Sequence, residues 1–173
     1  MLTSHELLGF MSPQLALEIL TYAFDTDKTI YRATLNAVAE ARRVRPVFLE
    51  RQPKSQRHTA MLASLTRPGL EMITANLIRT WLLKKYKDML CDFLDALGIA
   101  HKDGVVEDLP TTVEDAKLNS AVDKLLAKYP REVVAVYLHA FQEMNEVQWP
   151  NLKALLEADK RLELGESSAV PGA

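Results

Sequence analysis

Apolar residues recur every three to four positions along nearly the whole chain, a period that belongs to helices rather than strands. Leu70, Ile73, Leu77 and Trp81 mark one such face, and Leu118, Val122, Leu125 and Tyr129 mark another. A helix with one apolar stripe must lay that stripe against its neighbours. The expected fold class is therefore all-α, an irregular helical bundle or a short helical-repeat-like array of six to eight helices. With 173 residues, 48% of them hydrophobic and 25% charged, the chain can bury a core without cross-links. It reads as a single helical domain over 1–164 followed by a flexible tail at 165–173.

Prolines and short polar side chains set the expected helix starts. Proline suits the first helical position because its missing N–H would have no partner there. Ser12-Pro13 opens an almost wholly apolar helix through Phe24, and Asp27 caps a second running to about Val44 before Pro46. Pro53 precedes a short helix over 54–65. Thr66 is expected to cap the longest stretch, which ends at Gly98. Along that stretch the apolar face changes side near Leu82, but no Gly or Pro occurs between 70 and 97, so an unbroken helix is expected. After a loop over 99–111, Thr111 and Thr112 offer capping-box starts with Glu114 and Asp115. Pro130 and Trp149-Pro150 open two further helices. The valine-rich run Val133–Leu138 could also be an isolated strand, but a lone strand has no partner, so helix is preferred. Trp81 and Trp149 fit either a core or an interface.

Two segments resemble each other at an offset of 43: Leu82-Leu83-Lys84-Lys85-Tyr86 and Leu125-Leu126-Ala127-Lys128-Tyr129. That spacing is in the range of two-helix solenoid repeats, but two copies are few, and amphipathic coincidence is the preferred explanation.

Charge is unevenly spread although the net value is only −2. Residues 1–41 carry net −3, residues 42–87 net +9 and residues 88–173 net −8. Arg42, Arg43, Arg45, Arg51, Lys54 and Arg57 form the densest block and are the candidate partner-binding residues. Such a block suits an anionic partner, through arginine's planar fork or through counterion release along a nucleic acid. The plainer expectation is that it is a solvated face, or that it meets the acidic C-terminal half within one chain or across a homodimer. No helix-turn-helix or RNA-binding signature accompanies it, and Phe48 is its one aromatic residue.

The chemistry-bearing residues are sparse. A single cysteine, Cys91, excludes an internal disulfide framework and every Cys-rich zinc module, and its late helical position argues against a thiolate. His58 shares a helical face with Met61, Leu62 and Leu65 and is a candidate ligand-binding imidazole; a hydrogen-bonded histidine at a core edge is its ordinary role. His5 lies near the N-terminus, His101 in a turn, and His139 on the expected solvent side. Asp88, Asp92 and Asp95 share one helical face and could collect a cation only if a second helix brought more oxygens. An acidic outer face is the ordinary reading of that row. Phosphate-cradling glycine loops and G-x-S-x-G are absent.

No catalytic residue, cofactor or metal is therefore assigned. The leading expectation is a non-catalytic protein–protein interaction or regulatory module, contacting another protein or a second copy of itself. Nucleic-acid binding by the same segment, and a small-molecule- or metal-binding protein or enzyme, are the alternatives. Lacking a signal-type start and any apolar run long enough for a membrane span, the chain is expected in the cytoplasm, away from membranes.

Overall fold

A computed structural model describes residues 2–165. The all-α class holds: ten α-helices are present among the described residues, with no strand. They are α1 (Ser4–Phe10), α2 (Pro13–Thr26), α3 (Lys28–Ala41), α4 (Pro46–Glu50), α5 (Lys54–Leu65), α6 (Glu71–Lys85), α7 (Lys87–Leu97), α8 (Asp115–Lys128), α9 (Arg131–Met144) and α10 (Pro150–Ala158). A 3₁₀ turn over Lys160–Leu162 follows. The excess over six to eight comes from α1, α4 and a break in the long helix. Apart from Gly165, the expected tail lies outside the described residues. The chain divides into two compact units, the first ending at Trp81 and the second beginning at Leu82.

In the first unit, local chemistry starts most helices where it should. Thr3 and Glu6 form a capping box on α1, each satisfying the other's backbone N–H. Ser12 caps α2 by accepting from the Leu15 N–H at 3.3 Å, with Pro13 at the first helical position. Asp27 caps α3 through the Ile30 N–H at 3.2 Å. That helix stops at Ala41, short of Val44, because Arg43 adopts a left-handed φ of 56° and turns the chain into Pro46 and α4. Thr66 closes α5 instead of opening α6: its hydroxyl donates back to the Leu62 carbonyl at 2.9 Å. Gly69, at φ 113°, completes the turn, and α6 starts only at Glu71. Helix α2 packs on α3 and α5, and α3 also packs on α4 and α5. Leu8 of α1 and Ile19, Leu20, Val38, Met61 and Leu65 of α2, α3 and α5 are buried in the core of this unit. His5 Nδ1 pairs with the Glu71 carboxylate, which ties α1 to the start of α6.

The long helix is broken at Tyr86, where φ −115° and ψ 29° leave helical geometry. The change of apolar side near Leu82 runs into this break: Leu77, Ile78 and Trp81 are buried before it, Met89, Leu90 and Phe93 after it. The break also gives the two similar segments the same layout, since Tyr86 and Tyr129 each directly follow one helix and precede the next.

In the second unit, α9 is the central helix. Val133, Val134, Ala135, Val136, Tyr137 and Leu138 are all buried, so the valine-rich run is a helix covered on every side. Helices α8 and α10 and the 3₁₀ turn pack on it, and α7 packs on α8. Phe93, Tyr137 and Phe141 meet edge to face and Trp149 lies tilted against Phe141, an aromatic cluster with centroid separations of 5.1 to 6.0 Å. Trp149 Nε1 donates to the Pro110 carbonyl at 2.8 Å, which holds the loop before α8. Trp81 and Trp149 are each 1% exposed and belong to the core. Glu114, not Thr111 or Thr112, precedes α8, and it makes no side-chain cap. His139 is half-buried rather than fully solvated: its Nε2 donates to the Leu162 carbonyl at 3.0 Å and docks the 3₁₀ turn.

Candidate functional site

The basic block is divided by the fold into two sets. Arg42 donates to the Ala60 carbonyl at 3.1 Å, Lys54 lies over the Phe24 ring at 4.6 Å, and Arg57 donates through Nε to Tyr31 Oη at 2.8 Å. These three are spent on holding α3 and α2 to α5. The side chains of Arg43, Arg45 and Arg51 are exposed and make no hydrogen bond or ion pair among the described residues. Between them lie three apolar residues that the fold leaves uncovered: Val44 is 39% exposed, Val47 37% and Phe48 57%. Leu49, 2% exposed, anchors α4 to the core so that its neighbours must face outward. The free cations and the exposed apolar side chains thus share one short stretch of chain.

His58 lies on the inner side of this region and is 1% exposed. Its Nε2 is 2.9 Å from Tyr31 Oη. Because that oxygen already accepts from Arg57, its own proton is available for Nε2, which suits a neutral imidazole. Burial pushes the His58 pKa down to about 4, and the Arg57 and Lys54 charges push the same way against a smaller opposite effect of Asp25. Burial raises the Tyr31 pKa, with the Arg57 hydrogen bond acting against it. Phe24, Tyr31 and His58 meet edge to face at 5.1 to 5.5 Å. This is the hydrogen-bonded core-edge histidine, with one addition: Tyr31, its partner, also lines a cavity of about 480 Å³. Phe24, Tyr31 and Leu35 give it apolar walls, and Lys28, Arg32 and Arg57 bring cations to it. Glu50, also in the lining, is paired with Arg32 at 3.2 Å. Lys28, Tyr31, Arg32 and Leu35 follow the one-face helical spacing, which was the sequence signal for this wall.

The aspartate row does not act as a set. Asp92 accepts from Lys128 Nζ at 2.8 Å and from Tyr129 Oη at 2.6 Å, which clamps α7 to α8 and holds its pKa below the usual carboxylate range. Asp95 pairs with His101 Nε2 at 2.7 Å, while Asp88 is exposed without a partner among the described residues. No group of three or more His, Cys, Asp or Glu side chains among the described residues is placed to hold a metal ion. Asp123 and Asp159 draw their cation from Arg161 of the same unit, at 3.0 and 2.7 Å. The Cys91 thiol is raised by burial and by Asp95 and Asp103, which disfavours a thiolate. A second cavity of about 440 Å³, beside Leu97 and Pro110, carries only Glu114 and Lys117 as charged lining.

Among the described residues no single helix is long and apolar enough to cross a membrane. No family model, curated protein or solved structure matches the chain.

Proposed function

We propose that the chain is a non-catalytic interaction module that binds an acidic protein segment at the corner formed by the end of α3, α4 and the start of α5. One observation carries the reading: Arg43, Arg45 and Arg51 are exposed without partners among the described residues and are interleaved with exposed Val44, Val47 and Phe48. An acidic segment with apolar side chains of its own would meet both halves of that surface, the aromatic giving contact area and the arginines orientation. The module acts in the cytoplasm, where a lone cysteine stays a thiol. Replacing Arg43, Arg45 and Arg51 by Glu is expected to abolish partner capture while the far-ultraviolet circular dichroism stays that of the wild type. Unchanged capture eliminates the surface.

The exposure of Phe48 among free arginines also favours a second reading, binding of a single-stranded nucleic acid with one base stacked on the ring. Three phosphate contacts on a single strand imply a roughly twentyfold loss of affinity when salt rises fourfold. Failure to bind an oligonucleotide at low salt removes this reading and leaves the first.

A further inference from the structure

We propose that the cavity of about 480 Å³ where α2, α3 and α5 meet binds a small aromatic carboxylate, an organic acid with a flat apolar body. The site goes beyond the acidic-segment surface, because it uses a different set of side chains and accepts a small molecule. Its volume falls in the range of small-molecule pockets, which combine apolar walls with a few converging polar groups. Phe24, Tyr31 and Leu35 supply the walls for a ring.

The polar groups select the charge. Lys28 makes no interaction among the described residues. Arg57 spends Nε on Tyr31 and Nη1 on the Glu50 carbonyl at 3.3 Å, which leaves Nη2 to meet a ligand oxygen. Of the two carboxylates in the lining, Glu50 is already answered by Arg32, and Asp25, exposed like Lys28, leaves one carboxylate against the two cations Lys28 and Arg57. The unanswered charge is therefore positive on balance, and a guanidinium beside an ammonium suits a carboxylate. A cationic ligand is disfavoured, because Lys54 already occupies the face of Phe24 and Arg57 stands 5.5 Å from the same ring.

His58 gives the site a reporter that a loosely held surface anion would not touch. The groups facing it are Phe24 and Asp25 of α2, Tyr31 of α3, and Lys54 and Arg57 of α5. A carboxylate placed against Arg57 offsets one of the charges that keep the imidazole neutral, so ligand binding raises the midpoint at which His58 takes a proton.

The test titrates the full chain with benzoate and, separately, with uncharged benzamide, following backbone amides and the His58 ring by nuclear magnetic resonance. Benzoate at millimolar concentration is expected to shift the amides of Phe24, Lys28, Tyr31 and Leu35 and to raise the His58 midpoint. Benzamide is expected to bind roughly tenfold more weakly, as the loss of one charge-assisted hydrogen bond implies. Lys28→Gln, which removes no hydrogen bond or ion pair among the described residues, is expected to weaken benzoate by a similar factor, and Arg57→Gln by at least as much. The proposal is overturned if benzoate leaves these amides unmoved, if benzamide binds equally well, or if Lys28→Gln binds benzoate like the wild type.

Discussion

Lowering the pH from 7 to 5 places a proton on the unfolded imidazole of His58 but not on the folded one. Folding holds this group at a pKa of about 4, against about 6.5 in the unfolded chain. A depressed folded pKa means that the stabilisation is present above the unfolded value and is lost as pH falls towards the folded value. Between the two, the unfolded state binds more protons, and stability drops by up to about 1.4 kcal/mol per pH unit. Over the interval from pH 7 to 5 the linkage gives a loss of about 2 kcal/mol from His58. The side chain is 1% exposed, so solvent screening takes little from that figure. Urea unfolding at several pH values, followed by Trp81 fluorescence in a Trp149→Phe background, reads the first unit. The same series in His58→Gln removes the titrating group and leaves carboxylate effects in place. The difference between the two profiles should open below about pH 6.5 and reach about 2 kcal/mol at pH 5. Parallel profiles, or a His58 ring that titrates near 6.5 in the folded protein, would show that folding does not hold this imidazole neutral.

Two further substitutions test the packing. Gly104 has φ 85°, and a Cβ there would stand 2.9 Å from Leu90 Cβ, so Gly104→Ala combines a left-handed backbone with a clash. It should cost about 2 kcal/mol in denaturant unfolding of the second unit; a change within experimental error would show that the loop relaxes freely. Thr74 is 0% exposed and its hydroxyl has no hydrogen-bond partner among the described residues. Thr74→Val keeps the branched shape and removes the unmet polar group, so unfolding should become harder by about 1 kcal/mol; a loss of stability would mean that the hydroxyl is satisfied.

Helix content was legible because its signals are local. Ser12-Pro13, Asp27, Pro53, Pro130 and Trp149-Pro150 lie at the starts of helices, since a cap or a proline acts on the turn it begins. Thr66 misled because its hydroxyl can serve either neighbouring helix, and the back-bond to Leu62 decides for the earlier one. The break at Tyr86 carried no Gly or Pro; the only sign was the change of apolar side near Leu82, which fits a bend as well as a change of neighbours. At the site, Arg42 and Arg43 are indistinguishable by type and adjacent in sequence. Their difference comes from partners far along the chain: Ala60 lies 18 residues from Arg42. Tyr31, which claims both Arg57 and His58, is likewise 26 and 27 residues away. The aspartate row was legible as a face, but its division among Lys128, Tyr129 and His101 was not, because the clamp is supplied by α8 and by the turn after α7.

The acidic-segment surface is tested most directly by fluorescence anisotropy with a labelled Glu- and Leu-rich peptide, comparing wild type with the Arg43→Glu, Arg45→Glu, Arg51→Glu variant. Three exposed ion pairs turned into repulsions should weaken binding roughly a hundredfold. That loss is expected with helicity unchanged; equal affinity of the two proteins for the peptide, or no binding by the wild type, would eliminate the acidic-segment surface.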